Sequence, residues 1–307
     1  MTFLVELPRD EYPNAAMDSF RAASDFALSN ARAMMWMSQL AYETAHEQKV
    51  DDILGAWKLT KRAFMSNPVP LHLPISTACA VVAGGRGATI VAFAGSDPLK
   101  INDWITDFRT LPSPENTHTG FETAVAASWP LIAAAIAARP VAESAVVFTG
   151  HSLGGALAII AAQRSLRDAR VQATAVYTFG SPRPGGSQFA GAYTPALGDR
   201  TYRLVHGNDV VPTVPPSITG IFQHVGRCIQ CASEGRFDLQ TPMLSRYDDK
   251  PDFAENVFDS GRRDLLALLD GRVFFPVGPG LQGRLTGVLP RLVRDHVPAN
   301  YLRALAP

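Results

Sequence analysis

Ala145-Val146-Val147-Phe148-Thr149-Gly150-His151-Ser152-Leu153-Gly154-Gly155-Ala156-Leu157-Ala158-Ile159-Ile160-Ala161-Ala162 is the stretch that decides the fold. A short β-branched and aromatic run passes directly into an alanine-rich apolar run, which predicts a buried strand turning sharply into a helix. Gly150 and Gly154 stand two positions before and two after Ser152. They let strand and helix crowd together where a Cβ would clash, while Ser152 takes the strained conformation. A serine held on such a turn beside a base is an activated nucleophile. The first amides of the following helix point at the negative oxygen that develops when an acyl group is attacked. Glycine and serine are common, so the G-x-S-x-G spacing draws its weight from the strand before it and the helix after it.

Working outward, short apolar runs recur at residues 78–82, 89–94, 175–179 and 201–205. Helical patterns occupy residues 15–48, 122–138 (with Pro130 inside) and 156–166. Alternating strand and helix signals predict an α/β domain with a mostly parallel sheet covered by helices on both faces. In such sheets the site lies at the carboxyl ends of the strands, where Ser152 falls. From about residue 233 to residue 290 the rhythm is lost among Pro and Gly, which reads as an insertion or cap on one domain spanning 1–307.

Charge balances at 28 basic and 28 acidic residues, so the chain carries no electrostatic footprint for nucleic acid or an anionic membrane surface. The apolar runs read as too short for a transmembrane segment. The N-terminus lacks a basic segment followed by an apolar one, so a cytoplasmic location is expected, or secretion if this is a mature form. The three cysteines, Cys79, Cys228 and Cys231, are too few for a disulfide framework and read as buried thiols. Asp248, Asp249 and Asp252 lack the spacing of a calcium loop, so neither metal nor cofactor is expected. Met34, Met35 and Met37 read as core packing.

A serine nucleophile of this architecture takes its acid and then its histidine from later in the chain. Asp209 directly follows the strand ending near Val205, which puts its carboxylate at the carboxyl end of the sheet. Two histidines follow it. His224 lies in an alternating, strand-like Phe222–Gly226 context and His296 in a loop-like one, so His296 is the preferred base and His224 the alternative. His151 faces away from the site and reads as a packing or hydrogen-bonding residue. The backbone amide of Leu153 is the first oxyanion donor, and Ser96, entering the loop after Val91-Ala92-Phe93-Ala94-Gly95, is the second.

Taken together these motifs resemble the class 3 lipases, the fungal-lipase-like α/β hydrolases. The resemblance runs over residues 75–301 and rests on Phe93-Ala94-Gly95-Ser96, Asn102-Asp103-Trp104-Ile105-Thr106-Asp107, His118-Thr119-Gly120-Phe121, the Ser152 elbow, Phe179-Gly180-Ser181-Pro182-Arg183, Asn208-Asp209-Val210-Val211-Pro212 and Asp295-His296, in that order. It implies the α/β-hydrolase fold, ester hydrolysis, Ser152, Asp209 and His296 as a triad, Ser96 and Leu153 at the oxyanion hole, and Asp107 as a support for the oxyanion loop. The expected activity is that of a serine carboxylic ester hydrolase, a lipase acting on acylglycerols or other lipid esters through an acyl-enzyme. A short-chain esterase or phospholipase with the same triad is the alternative, and a hydrolase-fold binding protein without catalysis is disfavoured because every catalytic role has an occupant. Ile101, Trp104, Ile105 and Phe108 recur at helical spacing and form one apolar stripe. Such a stripe belongs either to a surface helix packed permanently on the core or, as the resemblance implies, to a lid that opens transiently at a lipid-water interface.

Overall fold

A computed structural model describes residues 5–43, 45–65, 79–95, 117–215, 222–233, 235–238, 243–244 and 294–307. Its described strands are β1 (Thr60–Met65), β2 (Ala80–Gly85), β3 (Ala88–Phe93), β4 (Ala145–His151), β5 (Ala175–Phe179), β6 (Thr201–His206), β7 (Arg227–Cys231) and β8 (Met243–Leu244), lying in chain order in one sheet. The first three are antiparallel; β3 through β7 run parallel, and β8 returns antiparallel to β7. The β2–β3 hairpin closes through Arg86 and Gly87, both with positive φ, the twist-compatible form of a two-residue turn.

Parallel neighbours need long crossovers, and here three are helices: α3 (Thr119–Ala137) before β4, α4 (Leu153–Asp168) before β5 and α5 (Ser187–Leu197) before β6. The sheet grows in one direction from β3 to β7, so right-handed crossovers place all three helices on the same face. Val91, Phe93, Val146, Phe148 and Val176 point to that face and join one buried cluster with them. Their strand neighbours Ile90, Ala92, Val147, Tyr177 and Phe179 point the other way, into a second cluster with α1 (Leu28–Leu40), α2 (Glu47–Ala56) and α6 (Pro298–Ala304). The central strands are therefore apolar at consecutive positions because both faces are covered.

Three expectations need correction. The predicted helix from residue 15 begins only at Leu28. Residues 13–20 form successive tight turns, and the side chain of Asn30 takes both the N–H and the C=O of Arg21 at 2.9 Å, which removes those groups from a helical ladder. The strand-like alternation at Phe222–Gly226 is not a strand; β7 starts one residue later, at Arg227, beyond the turn at Gly226 with φ +76°. Third, α3 spans 19 residues and is long and apolar enough to cross a membrane by length and composition. Its inner side packs on α4, where Arg164 lies 5.6 Å from the Trp129 ring centre.

Met34, Met35 and Met37 are fully buried on α1, and Cys79, Cys228 and Cys231 are buried thiols without disulfides. Most of the proposed cap lies outside the described residues, as do Asp248, Asp249 and Asp252; within it, Met243 and Leu244 extend the sheet edge beyond β7.

Candidate active site

Strand β4 ends at His151, α4 begins at Leu153, and Ser152 between them has φ 58° and ψ −134°, a strained geometry for a non-glycine residue. Its N–H is held by the Phe179 carbonyl of the neighbouring strand at 2.8 Å. A Cβ on Gly150 would run into the backbone of Gly154, and one on Gly154 into the backbone of Phe93 and Ala94. The close approach anticipated from the glycine spacing is therefore between backbones, which have no room to give. Leu153 supplies the first amide of α4, before an intrahelical acceptor exists.

Asp209 follows β6 through Gly207, and His296 arrives from the turn just before α6. His296 Nδ1 lies 2.9 Å from Asp209 Oδ1 and 2.8 Å from Oδ2. The carboxylate only accepts, so Nδ1 carries the proton and Nε2 presents a lone pair. Both His296 Nε2 and Ser152 Oγ are buried and make no hydrogen bond among the described residues. A hydroxyl and an imidazole nitrogen buried without partners are groups with hydrogen-bonding capacity left for a ligand.

The Asp209 carboxylate is itself anchored. The Val211 amide donates to Oδ1 at 2.9 Å, and Tyr301 Oη donates to Oδ2 at 2.6 Å while accepting from the His206 amide at 3.1 Å. Burial, and then the charge of Asp209, push the Tyr301 phenol well above its usual range, which keeps it a donor. The two loops are stitched a second time, since Asp295 Oδ2 accepts the Asn208 amide at 2.9 Å and the Asp295 carbonyl accepts His206 Nδ1 at 3.2 Å. Gly180, φ +58°, ends β5 at the point where an added Cβ would meet Asp209 Oδ2 and come within 2.9 Å of His296 Nδ1.

Of the two histidines left open by the sequence, His224 turns its Nε2 onto the Pro212 carbonyl at 2.7 Å, and burial holds its pKa well below the ordinary value. His296 is the one brought to Asp209. His118 of the third motif stacks on Phe121 at 4.3 Å, and burial lowers it to about 4. Ser96, Asp107 and the stripe Ile101, Trp104, Ile105 and Phe108 lie outside the described residues. Gly95 is described, and a Cβ there would fall 2.8 Å from Ser152 Cβ, so the chain leaves β3 alongside Ser152. Sequence reasoning missed Tyr301, which looked like any core aromatic, and the steric requirement at Gly180. A glycine immediately after an apolar strand was the available signal for the latter.

Residues 90–219 match the sequence model of the class 3 lipases, across the oxyanion entry, the elbow and the Asp209 loop in order. Over those residues the chain is similar to the class 3 lipases. A relative, the secreted mono- and diacylglycerol lipase 1 of Fusarium solani, is 38% identical over 146 residues, 44% of this chain and 41% of that protein. A triacylglycerol lipase of Arabidopsis thaliana is 27% identical over 245 residues, 62% of this chain and 47% of that one. The chain thus spans less than half the length of these curated relatives. Among solved structures, an MDLA mutant from Penicillium cyclopium aligns with TM-score 0.58 at 19% identity, covering 76% of this chain and 92% of its own. The Rhizomucor miehei lipase propeptide complex aligns with TM-score 0.57 at 20% identity, covering 73% and 74%. The fold of the chain is the fungal-lipase α/β-hydrolase fold.

Proposed function

We propose that the chain is a serine carboxylic ester hydrolase that cleaves acylglycerols or related lipid esters through an acyl-enzyme on Ser152. The observation that carries this reading is the pairing of His296 Nδ1 with Asp209 while His296 Nε2 and Ser152 Oγ stay buried and unsatisfied. Ser152 Oγ attacks the ester carbonyl carbon and its proton passes to His296 Nε2; Asp209 holds the tautomer and balances the imidazolium. The Leu153 amide, with Ser96 as second donor, stabilises the tetrahedral oxyanion; the crowding of Gly95 against Ser152 supports Ser96 in that role. The intermediate collapses as the proton moves from His296 to the leaving alkoxide, and water then repeats the sequence on the acyl-enzyme. No cofactor enters any step, and Asp107 is assigned to holding the oxyanion loop.

The mono- and diacylglycerol lipase name of the Fusarium solani relative supports a glycerol ester as substrate. The apolar stripe at Ile101, Trp104, Ile105 and Phe108, together with a structural neighbour whose title concerns interfacial activation, supports a lid that responds to a lipid surface. Glycerol esters of increasing acyl length, assayed by pH-stat below and above the concentration at which they form emulsions, test both points. Turnover is expected to climb by about tenfold or more as a long-chain ester passes into emulsion, which is the behaviour of a gated site. A flat response with best activity on short soluble esters would instead make the chain an esterase with a permanently packed helix.

A further inference from the structure

His151, the residue before the nucleophile, is fully buried, with its two ring nitrogens committed in opposite directions. Its Nε2 lies 2.7 Å from the backbone carbonyl oxygen of His296, and its Nδ1 lies 2.8 Å from Tyr42 Oη. A carbonyl only accepts, so Nε2 carries the proton. Burial first, and then the neighbouring His296, hold the His151 pKa well below the ordinary value, so the ring is neutral and Nδ1 accepts from the Tyr42 hydroxyl. The rings of His151 and His296 face each other at 4.6 Å with planes 33° apart, and Tyr301 closes the edge at 5.6 Å. Tyr42 Oη also occupies the space beside Gly95, where a Cβ would strike it, the His151 carbonyl and Ser152 Cβ. One end of this contact chain therefore touches the strand exit toward the oxyanion loop, and the other holds the base from behind.

We infer that Tyr42 and His151 are a positioning pair for the reaction at Ser152, fixing the backbone and ring plane of His296 and keeping it in register with the strand exit at Gly95. The inference rests on the reading of Ser152 and His296 as nucleophile and base. Neither residue touches substrate. Their effect is geometric, because the His296 ring hangs from a turn just before α6 that the Nε2–H···O=C bond pins at its backbone. A neutral His151 also matters electrically: a charged one at this separation would oppose the imidazolium that forms on His296, whereas the neutral ring leaves the Asp209 carboxylate to favour it.

Steady-state kinetics on a soluble p-nitrophenyl ester, read as kcat and KM separately, test the pair in the full chain. His151→Phe, which keeps a ring and loses both hydrogen bonds, is expected to lower kcat about 100-fold with KM within about twofold, the scale of a base displaced by about 1 Å. Tyr42→Phe removes one oxygen and is expected to lower kcat about tenfold. The double variant should be no worse than His151→Phe alone, because Tyr42 acts through His151. His151→Gln, whose amide can donate to the same carbonyl, should recover about tenfold. Unchanged kcat in folded His151→Phe or Tyr42→Phe overturns the inference, and so do strictly multiplicative losses in the double variant. If His151→Phe does not fold, Tyr42→Phe decides alone. Imidazole nitrogen NMR of the wild-type chain gives a readout that needs no turnover: at neutral pH His151 should hold the neutral Nε2–H tautomer, and an Nδ1–H tautomer or a charged ring there overturns the pairing. Absence of ester turnover in a wild-type chain with that NMR signature would count against the Ser152 reading instead.

Discussion

Asp209→Asn is expected to lower ester kcat about 10⁴-fold while leaving the fold intact and KM close to wild type. The new amide has the shape of the carboxylate, so the Val211 contact at Oδ1 can persist. Facing His296 Nδ1, however, it either points its oxygen there and forfeits the negative charge, or points its NH₂ there and forces the ring proton onto Nε2. In the second arrangement the ring has no lone pair to offer Ser152. Because the Val211 amide donates to Oδ1 and the Tyr301 hydroxyl to Oδ2, an NH₂ at either position also forfeits one of those two contacts. Circular dichroism and thermal melting, run beside the kinetics, separate this from unfolding. A variant that keeps more than about a tenth of wild-type kcat would show that Asp209 does not orient the base.

Gly180→Ala is expected to cost at least about 100-fold in kcat, because a single added methyl displaces both members of the Asp209–His296 pair. The methyl would overlap Asp209 Oδ2 and sit 2.9 Å from His296 Nδ1 and 3.0 Å from Cε1. It would also force a left-handed φ of +58° on alanine, at about 1 to 2 kcal/mol of stability. Gly87→Ala separates the two effects. Gly87 has φ +80°, yet the nearest atoms to its added Cβ are 3.6 and 4.0 Å away and far along the chain from the site residues. That variant should melt earlier and turn over esters normally, whereas Gly180→Ala should lose turnover beyond anything its melting temperature explains. Equal kinetic behaviour in both would show that Gly180 serves only the backbone.

The parallel core was legible because β3, β4 and β5 are buried on both faces and so read as continuous apolar runs. Strands β1 and β7 escaped notice for the opposite reason: Thr60–Met65 is partly exposed at the sheet edge and Arg227–Cys231 mixes Arg and Gln into its run. The start of α1 was misplaced because Asn30 captures the backbone of Arg21 from nine residues away, which no local periodicity encodes. Ser152 and Asp209 announced themselves by following strands, since a residue just past a parallel strand emerges at the site end of the sheet. His296 and His224 could not be separated that way. Their difference lies in long-range partners, Asp209 in one case and the Pro212 carbonyl in the other. Tyr42 and Tyr301 were hidden for the same reason, because a buried aromatic ring looks like core until the direction of its polar atom is known, whereas His151 already read as a packing or hydrogen-bonding residue.

The central claim, that Ser152 is the nucleophile of an acyl-transfer site activated by His296 and Asp209, is tested most directly by covalent titration with a p-nitrophenyl alkylphosphonate. The reagent loses p-nitrophenol as a phosphorus–oxygen bond forms to the activated serine, and the product is read by intact mass and peptide mapping. One phosphonyl group per chain on Ser152, turnover lost in step with labelling, and no label in Ser152→Ala is the predicted result. Turnover that survives complete labelling, a label on another residue, or a Ser152→Ala chain that still hydrolyses esters would contradict it.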